Sequence, residues 1–251
     1  MKRELNEHGQ PIGPVVEHWH SRPRPGREVM SGLYCRLEPL DPARHAADLF
    51  SANTADVDGR MWTYLPYGPF ASLEQYRTWM EATCLGHDPL FYAIVDASSG
   101  RALGLTSYLR IIPEHGAIEI GHLAYSPALQ RTPMATEATS LLLRNAFALG
   151  YRRVEWKCNA LNGPSRAAAR RFGFSFEGVF RQHVIHKGRS RDTAWYAITD
   201  GDWPAIDASH RRWLDPANFD AAGHQQVPLS TLTAPLRRAP AQDGPSDVSS
   251  G

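Results

Sequence analysis

One change of residue period constrains this chain more than anything else in it. Up to Ser126 the sequence runs in short apolar stretches. From Met134 onward, Met134, Ala138, Leu141, Leu142 and Leu149 recur at offsets of 4, 7, 8 and 15, the spacing of one helix face. Thr132 stands where an N-cap side chain belongs, and Pro133 takes the first helical position, where its missing N–H costs nothing. Gly150 sits just past the end. A strand therefore passes through a short loop into a helix with a sharp start and a sharp stop. The first turn of such a helix offers unpaired backbone N–H groups and the positive end of the helix dipole, which suits a pyrophosphate. Arg131 adds a cation. Every helix has such an end, so an ordinary strand-to-helix turn with Arg131 in solvent fits the stretch as well.

Around this junction the other elements fall into order. Leu33–Leu40 is a first strand. Asp41-Pro42 opens a helix carrying Ala46, Ala47, Leu49 and Phe50, and Ser72 caps a second helix running to about Leu85, with Glu74 near its positive end. Between them lies an aromatic loop, Met61 to Phe70. Leu90–Val95, Leu103–Ile112 and Ala117–Ser126 are strands, the last two joined by the turn Pro113–Gly116 as a hairpin. After the helix come a strand at Val154–Cys158, a short helix at Pro164–Phe172, and strands at Phe176–His186 and Thr193–Ile198. Beyond Trp203-Pro204 the pattern thins, with a short helix at Arg211–Leu214. From about Ala234 the Pro, Ala, Gly and Ser content predicts disorder. Residues 1–30, rich in Pro and charge, predict an extended arm that docks through Trp19.

The 251 residues suit one domain, at 31–204, with this arm and a C-terminal extension at 205–251. A net charge of +1 gives no global argument for nucleic acid or an anionic membrane. Cys35, Cys84 and Cys158 are odd in number and far apart, which is neither a disulfide framework nor a zinc pattern, and a reduced cytoplasmic setting follows. Met1–Gln10 lacks the apolar core of a signal peptide, and no run of about 18 apolar residues predicts a membrane span. No metal site is expected. His18 and His20 lack a third ligand, and His183 and His186 point to opposite faces of a strand. Nucleotide hydrolysis and hydride transfer lack their glycine-rich signatures.

A second stretch reads Asn159-Ala160-Leu161-Asn162-Gly163-Pro164-Ser165, then three alanines and Arg170-Arg171-Phe172-Gly173-Phe174. Asn162 or Gly163 caps the short helix. Arg166 and Arg170 lie four apart and share a face, ready for a phosphate or for solvent. Together the two stretches resemble the acetyl-CoA-binding motifs of the GNAT acetyltransferase superfamily, in order and a strand apart. Gln130 and Ala135 take the first and last places of the family's Gln/Arg-x-x-Gly-x-Gly/Ala loop, while Pro133 replaces the middle glycine. Asn162, Ser165, Gly173 and Phe174 take the places of its second motif. Many members carry a tyrosine seven residues after that asparagine, to protonate departing CoA; Ala169 stands there. Serine at the Ser165 place without that tyrosine resembles the RimJ/RimL-like branch. So do Phe176-Glu177-Gly178 and the closing hairpin with Arg191 to Tyr196. The resemblance covers about 31–204.

It implies an α+β fold with a mixed, mostly antiparallel central sheet, a parallel strand pair around the acyl-CoA site, and flanking helices. It also implies an N-acetyltransferase using acetyl-CoA as co-substrate, held by Leu123, Gln130, Arg131, Thr132, Met134, Ala135, Thr136, Asn162, Ser165, Arg166 and Arg170. The backbone N–H near Leu123 would polarise the acetyl carbonyl. Glu119 is the candidate base, with an exposed strand glutamate as the plainer alternative and Glu155 as a weaker one. Strand alternation puts His122 on the face opposite Glu119, as a packed histidine. Ser165 is a candidate to hydrogen-bond the CoA sulfur, or else a first-turn serine satisfying the backbone. Trp62, Tyr64, Tyr67 and Phe70 either line the acceptor cleft, as the resemblance implies, or fold inward as core. The expected acceptor is a small-molecule amine or a protein N-terminus, with no nucleic-acid or membrane partner and with a homodimer left open. Two rivals remain: a CoA-binding regulatory module without turnover, which Pro133 and Ala169 favour, and an interaction domain using the terminal arms.

Overall fold

The computed structural model describes residues 4–239. In the N-terminal arm β1 (Glu4–Leu5) pairs with β2 (Pro11–Ile12). The main sheet begins with β3 (Met30–Ser31) and β4 (Cys35–Pro39), followed by helices α1 (Pro42–Asn53) and α2 (Leu73–Thr83). Strands β5 (Leu90–Asp96), β6 (Ala102–Ile112) and β7 (Ala117–Tyr125) lead into α3 (Pro133–Ala148). Then come β8 (Arg153–Asn159), α4 (Gly163–Arg171), β9 (Ser175–His186), β10 (Arg189–Thr199), α5 (Trp203–Leu214) and α6 (Leu229–Thr233). The eight strands lie in the order β3-β4-β5-β6-β7-β8-β10-β9. Only β7 and β8 run parallel; every other neighbouring pair is antiparallel.

The sheet is covered on both faces, which is why β5 is apolar at every position from Leu90 to Val95. Phe91, Ala93 and Val95 join Leu49, Tyr76 and Met80 beneath α1 and α2. Tyr92 and Ile94 face the other way, into a core with Leu142, Leu143, Ala169 and Ile206. The helix starts follow their capping residues: Asp41, Ser72, Thr132 and Asn162 each accept a first-turn backbone N–H. No helix among the described residues is long and apolar enough to cross a membrane.

Four expectations need correction. The strand expected from Leu33 is β4 and starts at Cys35, because the N–H groups of Leu33, Tyr34 and Cys35 all donate to the Glu137 carboxylate, at 2.7, 2.6 and 2.8 Å. The C-terminal helix is α5, twelve residues rather than four. Its buried positions, Ile206, His210, Trp213 and Leu214, keep helical spacing, but a histidine fills one apolar slot and hides the period. Order persists past residue 234: Ala234–Leu236 forms a 3-10 turn, and Arg238 bonds Asp202 and the Ser175 hydroxyl. The remainder of that expectation, 240–251, lies outside the described residues. Finally, the simple alternation along β7 fails at a bulge, described below. As for the arm, Trp19 Nε1 donates to Glu114 O at 2.8 Å, and its ring lies against Gly116 of the β6–β7 turn, where a Cβ would come within 2.5 Å of it.

Candidate active site

Strands β7 and β8 pair only through Ala117, Ile118 and Glu119 with Arg153, Val154 and Glu155. Beyond that point β7 stays on β6 and β8 on β10, so the parallel pair parts and a wedge opens in the sheet. The chain leaves both strands at the same end, one into α3 and the other into α4. Parallel strands gather ligand-binding loops at their carboxyl ends in this way.

At the α3 side, Arg131 adopts a left-handed φ of 62° and is exposed. Gln130 Nε2 donates to Tyr125 O at 2.8 Å, which closes the loop. Thr132 Oγ1 takes the N–H of Ala135 at 3.1 Å and Pro133 has none, so the Met134 N–H is the first-turn donor left for a ligand. Thr136 Oγ1 accepts from Arg171 Nη1 at 3.0 Å. Sequence reasoning passed over Arg171. It bridges α4 to the first turn of α3, stacks 4.7 Å over Trp213, and pairs with no carboxylate among the described residues. Burial pulls its pKa down to about 10, which leaves it charged at neutral pH. No local pattern distinguishes it from Arg170, which is exposed. Arg166 donates from Nε to the Tyr196 hydroxyl at 3.2 Å and from Nη1 to Ala160 O at 3.0 Å.

At the α4 start, Asn162 Oδ1 accepts the Ser165 N–H at 3.1 Å. The Ser165 hydroxyl accepts from Trp156 Nε1 at 3.0 Å, so its own proton can go to another acceptor, the Cys158 sulfur among them. The Cys158 thiol lies nearby; burial pushes its pKa up, opposed by Ser165, Arg166 and Arg191.

Glu119 lies at the apex of the wedge, its side chain 4% exposed. Its Oε2 meets Arg110 Nη1 at 2.7 Å and Lys157 Nζ at 3.1 Å. Burial pushes its pKa up, and the two cations oppose that shift. Lys157 also holds Glu155 at 2.6 Å. Burial alone would raise Glu155, yet hydrogen bonds from Lys157 and Arg153 bring it below the usual carboxylate range. Thus Glu119 is buried and ion-paired, not an exposed strand residue.

His122 corrects the alternation. The β6–β7 register shifts between the Ser107–Gly121 and Leu105–Ala124 pairs, and His122 takes a φ of 52°. Such a bulge leaves residues outside the ladder and re-aims a side chain. The imidazole therefore packs on Phe91 and Tyr67, with centroids 4.9 and 5.7 Å away, on the α1/α2 face that Glu119 also addresses. Its Nδ1 is buried without a partner. Burial, then Arg110, lowers its pKa to about 4. Leu123, the expected carbonyl-polarising position, lies in the same bulge between the paired Gly121 and Ala124.

The aromatic loop divides its residues. Trp62, Tyr67 and Phe70 pack with Tyr76, Trp79 and Phe91 in the core under α1 and α2, and the Tyr67 hydroxyl is buried without a partner. Core packing thus accounts for three of the four rings. A cavity of about 240 Å³ borders Trp62 and Phe70, but none of its lining residues belongs to β7, β8, α3 or α4. Tyr64 instead reaches across to Leu161 O, at 3.2 Å, in the loop before α4. Lys187, at the β9–β10 tip, donates to Trp62 O at 2.8 Å. Both contacts tie the loop to the β8 side of the wedge.

Residues 35–175 match the family model described as the acetyltransferase (GNAT) domain. Among solved structures, a GCN5-related N-acetyltransferase from Brucella melitensis is 43% identical, with a TM-score of 0.85 over 87% of this chain and 100% of that one. A probable GNAT-family acetyltransferase from Chromobacterium violaceum is 44% identical, with a TM-score of 0.73 over 78% of this chain and 98% of that one. The ribosomal L7/L12 alpha-N-protein acetyltransferase RimL, solved with coenzyme A in disulfide linkage to its own cysteine, shares the fold at 23% identity and a TM-score of 0.59, over 69% of this chain and 99% of that one. No curated protein sequence matches significantly.

Proposed function

Because the chain belongs to the GNAT acetyltransferase family, we propose that it transfers acetyl from acetyl-CoA directly onto a primary amine, with both substrates bound together. The observation that carries this reading is the wedge between β7 and β8, with the Met134 N–H, Arg131 and Arg171 at one rim and Ser165 at the other. This donor set fits a pyrophosphate above and a thioester below. Bound acetyl-CoA supplies an activated acyl group and a thiol leaving group. Burial keeps the Cys158 thiol protonated, so it is a poor nucleophile, which favours direct transfer over an acyl-enzyme.

The protein's share of the chemistry follows from the site. A lysine amine, with a pKa of about 10.4, is neutral in roughly one molecule per thousand at pH 7, whereas an α-amine near 7.7–8.0 is neutral in about a tenth. Glu119 attracts the ammonium and takes its proton, directly or through water. Burial raises its pKa although the two ion pairs oppose that shift, and the α-amine is the less demanding acceptor for such a base. The backbone N–H of Leu123 polarises the acyl carbonyl. Ser165, its oxygen already engaged by Trp156, donates its proton toward the sulfur. The family's tyrosine position is occupied by Ala169, fully buried, which supports a RimJ/RimL-like arrangement in which serine does this work. Three buried, unpaired cysteines fit a reduced cytoplasmic setting.

The test is binding followed by turnover. Acetyl-CoA at about 100 times its Kd should stabilise the fold by roughly 2.7 kcal/mol, and an amine panel should release free CoA thiol. No melting shift at millimolar acetyl-CoA would overturn the assignment of the wedge. Binding with no thiol release from any amine or peptide would favour the rival reading, a regulatory CoA-binding module.

A further inference from the structure

Two segments carry most of the bare apolar surface of this chain. Fourteen large hydrophobic side chains are exposed among the described residues, and eight of them fall in just two places. Leu5, Ile12, Val15 and Val16 lie in the N-terminal arm, at 62, 47, 73 and 45% exposure, and Val179, Phe180, Val184 and Ile185 lie on β9, at 40, 53, 39 and 83%.

The arm is folded but uncovered. Asn6 Oδ1 accepts the N–H groups of His8 and Gln10 at 3.0 and 2.9 Å, and β1 and β2 add two residue pairs. From Glu4 to His18 every residue except Asn6 is exposed, until Trp19 anchors the arm on the β6–β7 turn. A two-stranded hairpin alone in water is marginal at best, so lasting order there needs another surface. Strand β9 has the matching problem, because it is the open edge of the sheet, and a long apolar edge is a liability unless something covers it.

The two segments carry opposite charge. Residues 4–17 hold Glu4, Glu7 and Glu17 and no lysine or arginine, while Lys2 and Arg3 lie outside the described residues. Residues 178–191 hold Arg181, Lys187, Arg189 and Arg191 and no carboxylate. Of the flanking carboxylates, Glu177 is taken by Arg153 and Asp192 accepts the Gln182 N–H. Like charge keeps two β9 edges from pairing with each other, but an acidic, apolar segment is admitted. Within one chain the two surfaces stay apart and both stay bare.

We propose that two copies of this chain form a two-fold dimer by exchanging arms, residues 4–17 of each copy lying along β9 of the other. Leu5, Ile12, Val15 and Val16 then cover Phe180 and Ile185, and the arm's glutamates face Arg181 and Arg189. The exchange is self-complementary and closes at two copies. Each copy supplies residues 4–17 and 178–191, on the scale of the roughly 20–30 residues a side in a standard interface. Fully extended, the arm reaches up to about 50 Å beyond Trp19, enough to cross to a neighbour. None of this depends on the transfer chemistry.

The experiment is sedimentation of the full chain over a range of concentrations, at low and high salt. The wild type should be a dimer that weakens with salt. The arm variant Val15→Asp, Val16→Asp and the edge variant Ile185→Asp should each raise the dimer dissociation constant at least about tenfold. All of these positions are exposed, so both variants should keep the wild-type circular dichroism. Mixed together, the two variants should associate again, because one intact arm still meets one intact edge. A second pair of variants tests the charges: Glu7→Arg, Glu17→Arg and Arg181→Glu, Arg189→Glu should each dissociate the dimer, and all four changes in one chain should restore it. A wild type that stays monomeric at high concentration would overturn the proposal. So would a dimer that survives the arm variant, since the interface then lies elsewhere, or a mixture of the arm and edge variants that stays monomeric.

Discussion

His210 gives the sharpest quantitative test of how this fold holds its two donor-side helices. It is fully buried on α5. Its Nε2 lies 3.0 Å from Phe172 O, at the end of α4, and its Nδ1 lies 2.9 Å from the Ser140 hydroxyl of α3. A neutral ring satisfies both, donating to the carbonyl and accepting from the hydroxyl, whose single proton then turns from Thr136 O, 3.0 Å away, to Nδ1. Burial lowers its pKa to about 4, the Phe172 carbonyl opposing, against about 6.5 in the unfolded chain. The stability this contributes is whole above about pH 6.5 and drains as pH falls toward 4, because the unfolded chain takes the proton first. The full shift corresponds to about 3 kcal/mol, of which about 2 kcal/mol is lost by pH 5. For a domain of ordinary stability, about 5–15 kcal/mol, that is a large fraction. His210→Gln keeps a donor for Phe172 and an acceptor for Ser140 but does not titrate. Urea unfolding of both proteins between about pH 7.5 and pH 5, at constant ionic strength, should show the wild type losing about 2 kcal/mol more than the variant. Other titrating groups, including His122, are common to both and cancel. Parallel stability curves would refute the reasoning, since a ring already charged in the fold gives no such difference.

Glu119→Gln should lower kcat by roughly 10²-fold with little change in acetyl-CoA affinity, and the loss should shrink at high pH, where the amine deprotonates unaided; a full rate with an unchanged pH profile would make Glu119 purely structural. Arg171→Met should weaken acetyl-CoA binding about tenfold, measured by calorimetry, and an unchanged Kd would remove Arg171 from the nucleotide end. Tyr67→Ala should cost about 3 kcal/mol or more of stability while leaving acceptor KM near wild type, whereas Tyr64→Phe should leave stability alone and shift KM; the reverse pattern would return Tyr67 to the cleft. Ser165→Ala should reduce kcat moderately, and a wild-type rate with poor acetyl-CoA KM would reassign Ser165 to binding.

Much of this architecture is local and therefore legible in the chain. Thr132-Pro133, Asp41-Pro42, Ser72 and Asn162 announce their helices because capping depends on residues three or four apart. The apolar period of α3 and the hairpin turns fix the element order, and with it the place of the donor loop. The resemblance rests on the same short motifs. What the chain conceals is non-local. Glu137 draws in Leu33, Tyr34 and Cys35 from about a hundred residues away, and nothing near either segment signals it. Arg171, not its neighbour Arg170, becomes the half-buried cation because α3 and Trp213 pack against it. Glu119 acquires its cations from two other strands. His122 changes face because of a register shift that only the pairing with β6 creates. The aromatic loop was open to two readings in sequence, and packing drew Trp62, Tyr67 and Phe70 inward while leaving Tyr64 at the rim. Short-range hydrogen bonding and residue period settle which elements form. Burial, which sets every charge and ring in this site, exists only once the sheet and its helices have closed.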